Sequence, residues 1–83
     1  MTTAATLTDA VAHAMLIAGT AVRVSDTLVT RTAHYQWDDV SERYTLRQGG
    51  LRVQHVSSGD LGKGYSWSKY EKRFYACACP KCL

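Results

Sequence analysis

TAVRVSDTLVTRTAHYQWDDVSERYTLRQGGLRVQHVS, residues 20–57, alternates apolar and polar side chains with a period of two. Val22 and Val24 alternate with Arg23 and Ser25. Val29, Ala33, Tyr35 and Trp37 alternate with Thr30, Thr32, His34 and Gln36. Tyr44 and Leu46 alternate with Arg43, Thr45 and Arg47, and Leu51, Val53 and His55 with Arg52 and Gln54. This period turns one set of side chains to a buried face and the other to water, so each run predicts a half-buried strand. Ser25-Asp26, Asp38-Asp39 and Gln48-Gly49-Gly50 supply the turns. The Gly-Gly pair admits the positive φ of a tight hairpin. Short connections in succession predict a four-stranded antiparallel meander over 20–57.

Upstream the period is helical. Thr6-Leu7-Thr8-Asp9 reads as a helix start with Thr6 as cap, and Leu7, Val11, Ala14, Met15 and Ala18 share one face. Gly19 is placed to end the helix. The expectation is a helix over 6–18 packed on one face of the sheet. Downstream, residues 61–83 read in two ways. GYSWS and RFYACA form hairpin arms around KYEK, or Ser68-Lys69-Tyr70-Glu71 caps a short helix with Trp67, Tyr70 and Phe74 on one face. The aromatic content of both arms favours the hairpin. The fold class is α+β, in one domain over 1–83, and no internal repeat is apparent.

Eighty-three residues leave room for one marginal core, which a metal or a partner can reinforce. The charged fraction is 20% and the apolar fraction 46%, which excludes a disordered chain. The net charge of +3 permits an anionic partner but falls short of a protein that coats DNA. No apolar run approaches the roughly 20 residues that span a membrane. Three cysteines, all in the last seven residues, do not make a disulfide framework and fit a reducing, cytoplasmic setting.

The tail, Cys77-Ala78-Cys79-Pro80-Lys81-Cys82, carries the sharpest chemical signal. Two thiolates three positions apart can grip one tetrahedral zinc. CPKC, residues 79–82, resembles the knuckle of zinc-ribbon proteins. That resemblance implies a zinc cofactor and further ligands, since ribbon families carry a second CxxC and this chain has none. Cys77 and a histidine, with His55 as the candidate, would complete a site in one chain; a homodimer sharing cysteines across a twofold axis is the other route. Taken alone, His55 falls on the apolar face of its run, where a hydrogen-bonded core histidine is the commoner outcome. A free-thiol tail is the bland alternative.

Arg23, Arg43, Arg47 and Arg52 all fall on the polar set of the meander, and GKGYSWSKYEKRFY interleaves aromatics with Lys63, Lys69, Lys72 and Arg73. Arginines beside aromatic anchors suit a protein hot spot, and aromatics among cations suit single-stranded nucleic acid. The candidate binding residues are Arg47, Arg52, Trp67, Lys69, Tyr70 and Arg73, with a protein partner preferred to nucleic acid and no membrane partner. The GKG lacks the spacing of a phosphate loop, and Asp38-Asp39 has no paired histidine, so a non-enzymatic binding protein is expected. In size and layout the chain resembles small phage and plasmid accessory proteins, including anti-CRISPR inhibitors. That resemblance implies action by occupying a macromolecular surface. The reading from another class is a zinc-knuckle module that binds nucleic acid.

Overall fold

The structure, a computed structural model, describes residues 4–57 and 63–82. The elements in chain order are β1 (Thr6–Thr8), α1 (Asp9–Ala18), β2 (Ala21–Val24), β3 (Thr27–Thr30), β4 (Ala33–Asp38), β5 (Arg43–Gly49), β6 (His55–Ser57), β7 (Gly64–Ser68) and β8 (Arg73–Cys77). They build an α+β fold with two antiparallel sheets, one of order β1-β5-β4-β3-β2 and one of order β6-β7-β8.

The helix begins later than its apolar stripe suggests. Thr6–Thr8 pairs with β5, setting Leu7 opposite Tyr44. The cap is therefore Thr8, not Thr6: its hydroxyl accepts the Val11 N–H at 3.2 Å, and Asp9 sits in the first turn. Gly19 closes the helix with φ 81°, and the N–H groups of Gly19 and Thr20 return to Leu16 and Met15.

The expected strand over 29–37 is two strands. Thr30 breaks it: its hydroxyl accepts the N–H groups of Thr32 and Ala33 and donates to the Ala33 carbonyl, closing a turn at Arg31-Thr32. The expected fourth strand, Leu51 to His55, does not join this sheet. Leu51 donates its backbone N–H to the Thr32 carbonyl and Val53 to the Arg31 carbonyl, and the chain then enters β6 of the second sheet. Gly49-Gly50 is thus an exit and not a hairpin. Only Gly50, at φ 71°, uses the left-handed region, and an added Cβ there meets nothing within 4 Å. Gly50→Ala should lower stability by about 1 kcal/mol through backbone strain alone, with Gly49→Ala close to neutral. Thermal melts of the two variants check this, and equal melting temperatures would contradict it.

The β2–β3 part of the first sheet is covered on both sides. Ala12, Leu28, Tyr35 and Tyr44 form one cluster under α1, with Met15, Leu16, Trp37 and Leu46 at its margin. Val22 and Val29 turn the other way and meet Val56 and Phe74 of the second sheet. Neighbouring residues such as Leu28 and Val29 are therefore both buried. Tyr35 is buried and donates its hydroxyl to the Ala4 carbonyl at 2.9 Å, and burial pushes its pKa up.

Residues 64–77 form the hairpin, not the helix. It matches the β4–β5 hairpin closely. Tyr35, Trp37, Arg43 and Tyr44 stand thirty positions before Tyr65, Trp67, Arg73 and Phe74. Trp37–Tyr44 and Trp67–Phe74 both make edge contacts at 5.0 Å. Asp38 and Ser68 each accept a loop N–H, and each loop ends on a residue at φ 55°, Glu42 or Lys72. The chain does contain a repeated hairpin. Its loops, DVSE at 39–42 and KYEK at 69–72, differ enough in charge to obscure it.

Candidate metal centre

The alternation in β7 organises the site. Tyr65 and Trp67 pack toward the core, while Gly64 and Ser66 face outward. Small residues on that outer face leave space for the chain after β8 to fold back over the sheet. An added Cβ at Gly64 would overlap the Cβ and carbonyl group of Cys82. The tail therefore lies directly on the β7 backbone, and the Cys82 side chain is fully buried.

His55 pairs across the ladder with Ser66, and Gly64 with Cys77, so the outer face carries a histidine at one edge and a cysteine at the other. The Cys79–Cys82 turn, closed by a Cys82 N–H bond to the Cys79 carbonyl at 2.9 Å, delivers two more thiols between them. The His55 Nδ1 atom lies 3.3 Å from the Cys82 Sγ and 3.6 Å from the Cys79 Sγ, and the two sulfurs are 3.5 Å apart. The Cys77 thiol lies near them, close enough for Ser66, Cys79 and Cys82 to lower its pKa.

These distances can be compared with a tetrahedral ion. Zinc bonds of about 2.3 Å to sulfur and about 2.0–2.1 Å to nitrogen require tetrahedral edges of about 3.8 Å between sulfurs and about 3.6 Å between sulfur and nitrogen. The three measured edges fall within about 0.3 Å of those values. His55, Cys79 and Cys82 could hold a metal ion, with Cys77 beside them as a fourth donor.

Ser66 ties the cluster together. Its hydroxyl is 3.1 Å from His55 Nδ1 and 3.4 Å from Cys82 Sγ. Cys77 is lowered to about 7, chiefly by the Ser66 hydroxyl and then by the Cys79 N–H and thiol. Burial pushes Cys82 up. The shifts oppose one another: in the metal-free fold, Cys77 adds stability as pH rises through about 7, and Cys82 withdraws it above the usual thiol range.

His55 is exposed at the outer face of its strand and is not a core histidine. The apolar phase of Leu51 and Val53 does not continue into β6, where Val56 is the buried residue. The three clustered donors, with Cys77 near them, come from one chain. Sequence reading missed Gly64 and Ser66; the small–large alternation of GYSWS was the available signal.

The other predicted residues do not line one depression. Arg52 and Trp67 line a depression with Tyr35 and Leu51, Arg47 lines another with Thr27 and His34, and Arg73 a third with Leu16 and Phe74. Arg47 bonds to the Gln36 side chain. Trp67 is half-buried beneath the Arg31 guanidinium, 5.6 Å from its ring centroid. Lys69 lies 5.5 Å over the Tyr70 ring at the hairpin tip. The four arginines expected on one sheet face are also divided: Arg23 pairs with Leu28 on the helix side, whereas Arg43 pairs with Asp38 on the opposite one.

Among the described residues, no helix is long and apolar enough to cross a membrane. Comparison of the chain with protein-family models, curated proteins and solved structures finds no match.

Proposed function

We propose that this chain is a small non-enzymatic binding protein whose second sheet is stapled by one structural zinc ion, held by Cys77, Cys79, Cys82 and His55. The convergence of His55, Cys79 and Cys82 at tetrahedral spacing, with Cys77 nearby, carries the reading. Three thiolates and one imidazole suit zinc among the common divalent ions, and four protein ligands leave no open position for substrate. A closed site of this kind contributes folding energy rather than chemistry. The ion itself then contacts no partner, and occupation of a macromolecular surface by the fold it braces is the mode of action. That mode accords with the resemblance to small phage and plasmid inhibitors.

Protein purified under reducing, zinc-replete conditions should contain about one zinc per chain as a monomer. Cobalt should replace it and give the visible absorption of a tetrahedral thiolate site. Uptake should weaken as pH falls, because the thiols must lose their protons to bind. Absence of stoichiometric metal, or a cobalt spectrum unchanged by His55→Ala and Cys79→Ser, would refute the site.

A further inference from the structure

Formal charge divides sharply along the fold. Residues 4–57 carry five arginines against five acids, whereas residues 63–82 carry five cations against the single acid Glu71. Asp60, outside the described residues, accounts for the chain's total of +3. The side chains of the second sheet and its knuckle therefore hold a formal charge of +4, or +3 once a zinc ion sits on three thiolates, beside a neutral first sheet.

The repeated hairpin shows that the turn does not require this charge. The β4–β5 loop makes the same turn with Asp39 and Glu42 where the β7–β8 loop has Lys69 and Lys72. In the first loop Asp39 accepts the Trp37 indole N–H at 2.7 Å, an internal role that Lys69 cannot fill. At the second position of the second loop, Tyr70 is 87% exposed, with the Lys69 ammonium over its ring. Tyr75, 47% exposed, stands opposite Ser66 on the outer face, between this tip and the knuckle that bears Lys81. Arg73 lies against Gly19 at the end of α1 and is left out of the surface.

We infer that the outer face of the second sheet, from Lys69, Tyr70 and Lys72 through Tyr75 to Lys81, binds single-stranded nucleic acid. Two exposed phenol rings offer stacking platforms for unpaired bases, and the flanking lysines meet the phosphates. Exposed tyrosines suit a protein hot spot as well, but the cations between them are lysines, in which protein interfaces are depleted, rather than the arginines that such interfaces favour. The inference rests on the reading of the chain as a binding protein, and the knuckle fixes one end of the surface.

Zinc-loaded protein is titrated against a labelled oligothymidylate by fluorescence anisotropy at several salt concentrations, with zinc content measured on every sample. Binding should weaken with salt at about 0.7 log units per log unit of salt for each phosphate neutralised, so three lysines give a slope of about −2. Lys69→Glu with Lys72→Glu and Lys81→Glu should flatten the slope and lower affinity at least about tenfold. Tyr70→Ala with Tyr75→Ala should lower affinity about tenfold or more while leaving the slope in place. Arg43→Glu, on the first hairpin, should change neither. Absence of binding by zinc-loaded protein at low salt would overturn the inference and leave the metal reading standing. Tighter binding of a duplex, or equal competition by polyglutamate, would overturn it as well. Lysine- and tyrosine-dependent binding by protein that takes up no zinc would uphold the surface and refute the metal site.

Discussion

Chelation of the zinc is expected to lower the melting temperature by about 15–30 °C. At free zinc a thousand times the dissociation constant, linkage supplies about 4 kcal/mol, and each kcal/mol moves the midpoint of a domain this size by about 4–8 °C. The second sheet depends on this contribution because its own strands are short: β6 has three residues, and Val56 and Phe74 are the apolar side chains its strands bury. Its outer face is covered by a cysteine turn whose sulfurs and imidazole lie 3.3–3.6 Å apart. Without a cation, the buried Cys82 thiol is held in its neutral form by desolvation and by the thiols beside it. Hydrogen exchange should show β6 to β8 losing protection first, while β2 to β5 keep more of theirs. Cys82→Ser should reproduce the loss and make the melt insensitive to chelator. A melt that chelation does not move would mean that the cluster contributes nothing to folding.

Gly64→Ala should be almost as damaging, for a different reason. A single methyl group there would overlap the Cys82 Cβ and carbonyl oxygen and would come within 2.6 Å of its carbonyl carbon. Those atoms belong to backbone and to the base of a side chain, so no rotamer change relieves the overlap. Either β7 moves out of its ladder or the knuckle lifts from the sheet and carries two ligands away from His55. Overpacking costs about 1–3 kcal/mol, and loss of the metal adds to it. Cobalt affinity should fall at least about a hundredfold, with the melting temperature lowered in zinc. Gly49→Ala is the matched control, since its Cβ would meet only Leu46 methyl groups at 3.7–3.8 Å. If Gly64→Ala binds cobalt like the wild type, the knuckle does not rest on β7.

The sequence by itself determined the elements whose signals are local. CPKC is a turn that brings two thiols together whatever surrounds it, and Gly19 ends a helix on its own backbone freedom. The aromatic arms around KYEK read as a hairpin for the same reason. The donors His55 and Cys77 could be named from the chemistry a knuckle lacks. Their meeting with Cys79 and Cys82 depends on the β6–β7–β8 register, which sets His55 opposite Ser66 and Cys77 opposite Gly64. Tertiary structure also decided where the period-two rule failed. Alternation reports burial when one face of a sheet is in water. β2 and β3 of the first sheet lie between α1 and the second sheet, so Leu28 and Val29 are both buried and the break at Arg31-Thr32 is hidden in an apparently continuous run. His55 was assigned to the wrong face because the phase of Leu51 and Val53 was carried past the point where the chain changes sheets. No local pattern records that change, since it is fixed by backbone bonds to Arg31 and Thr32, some twenty residues away along the chain.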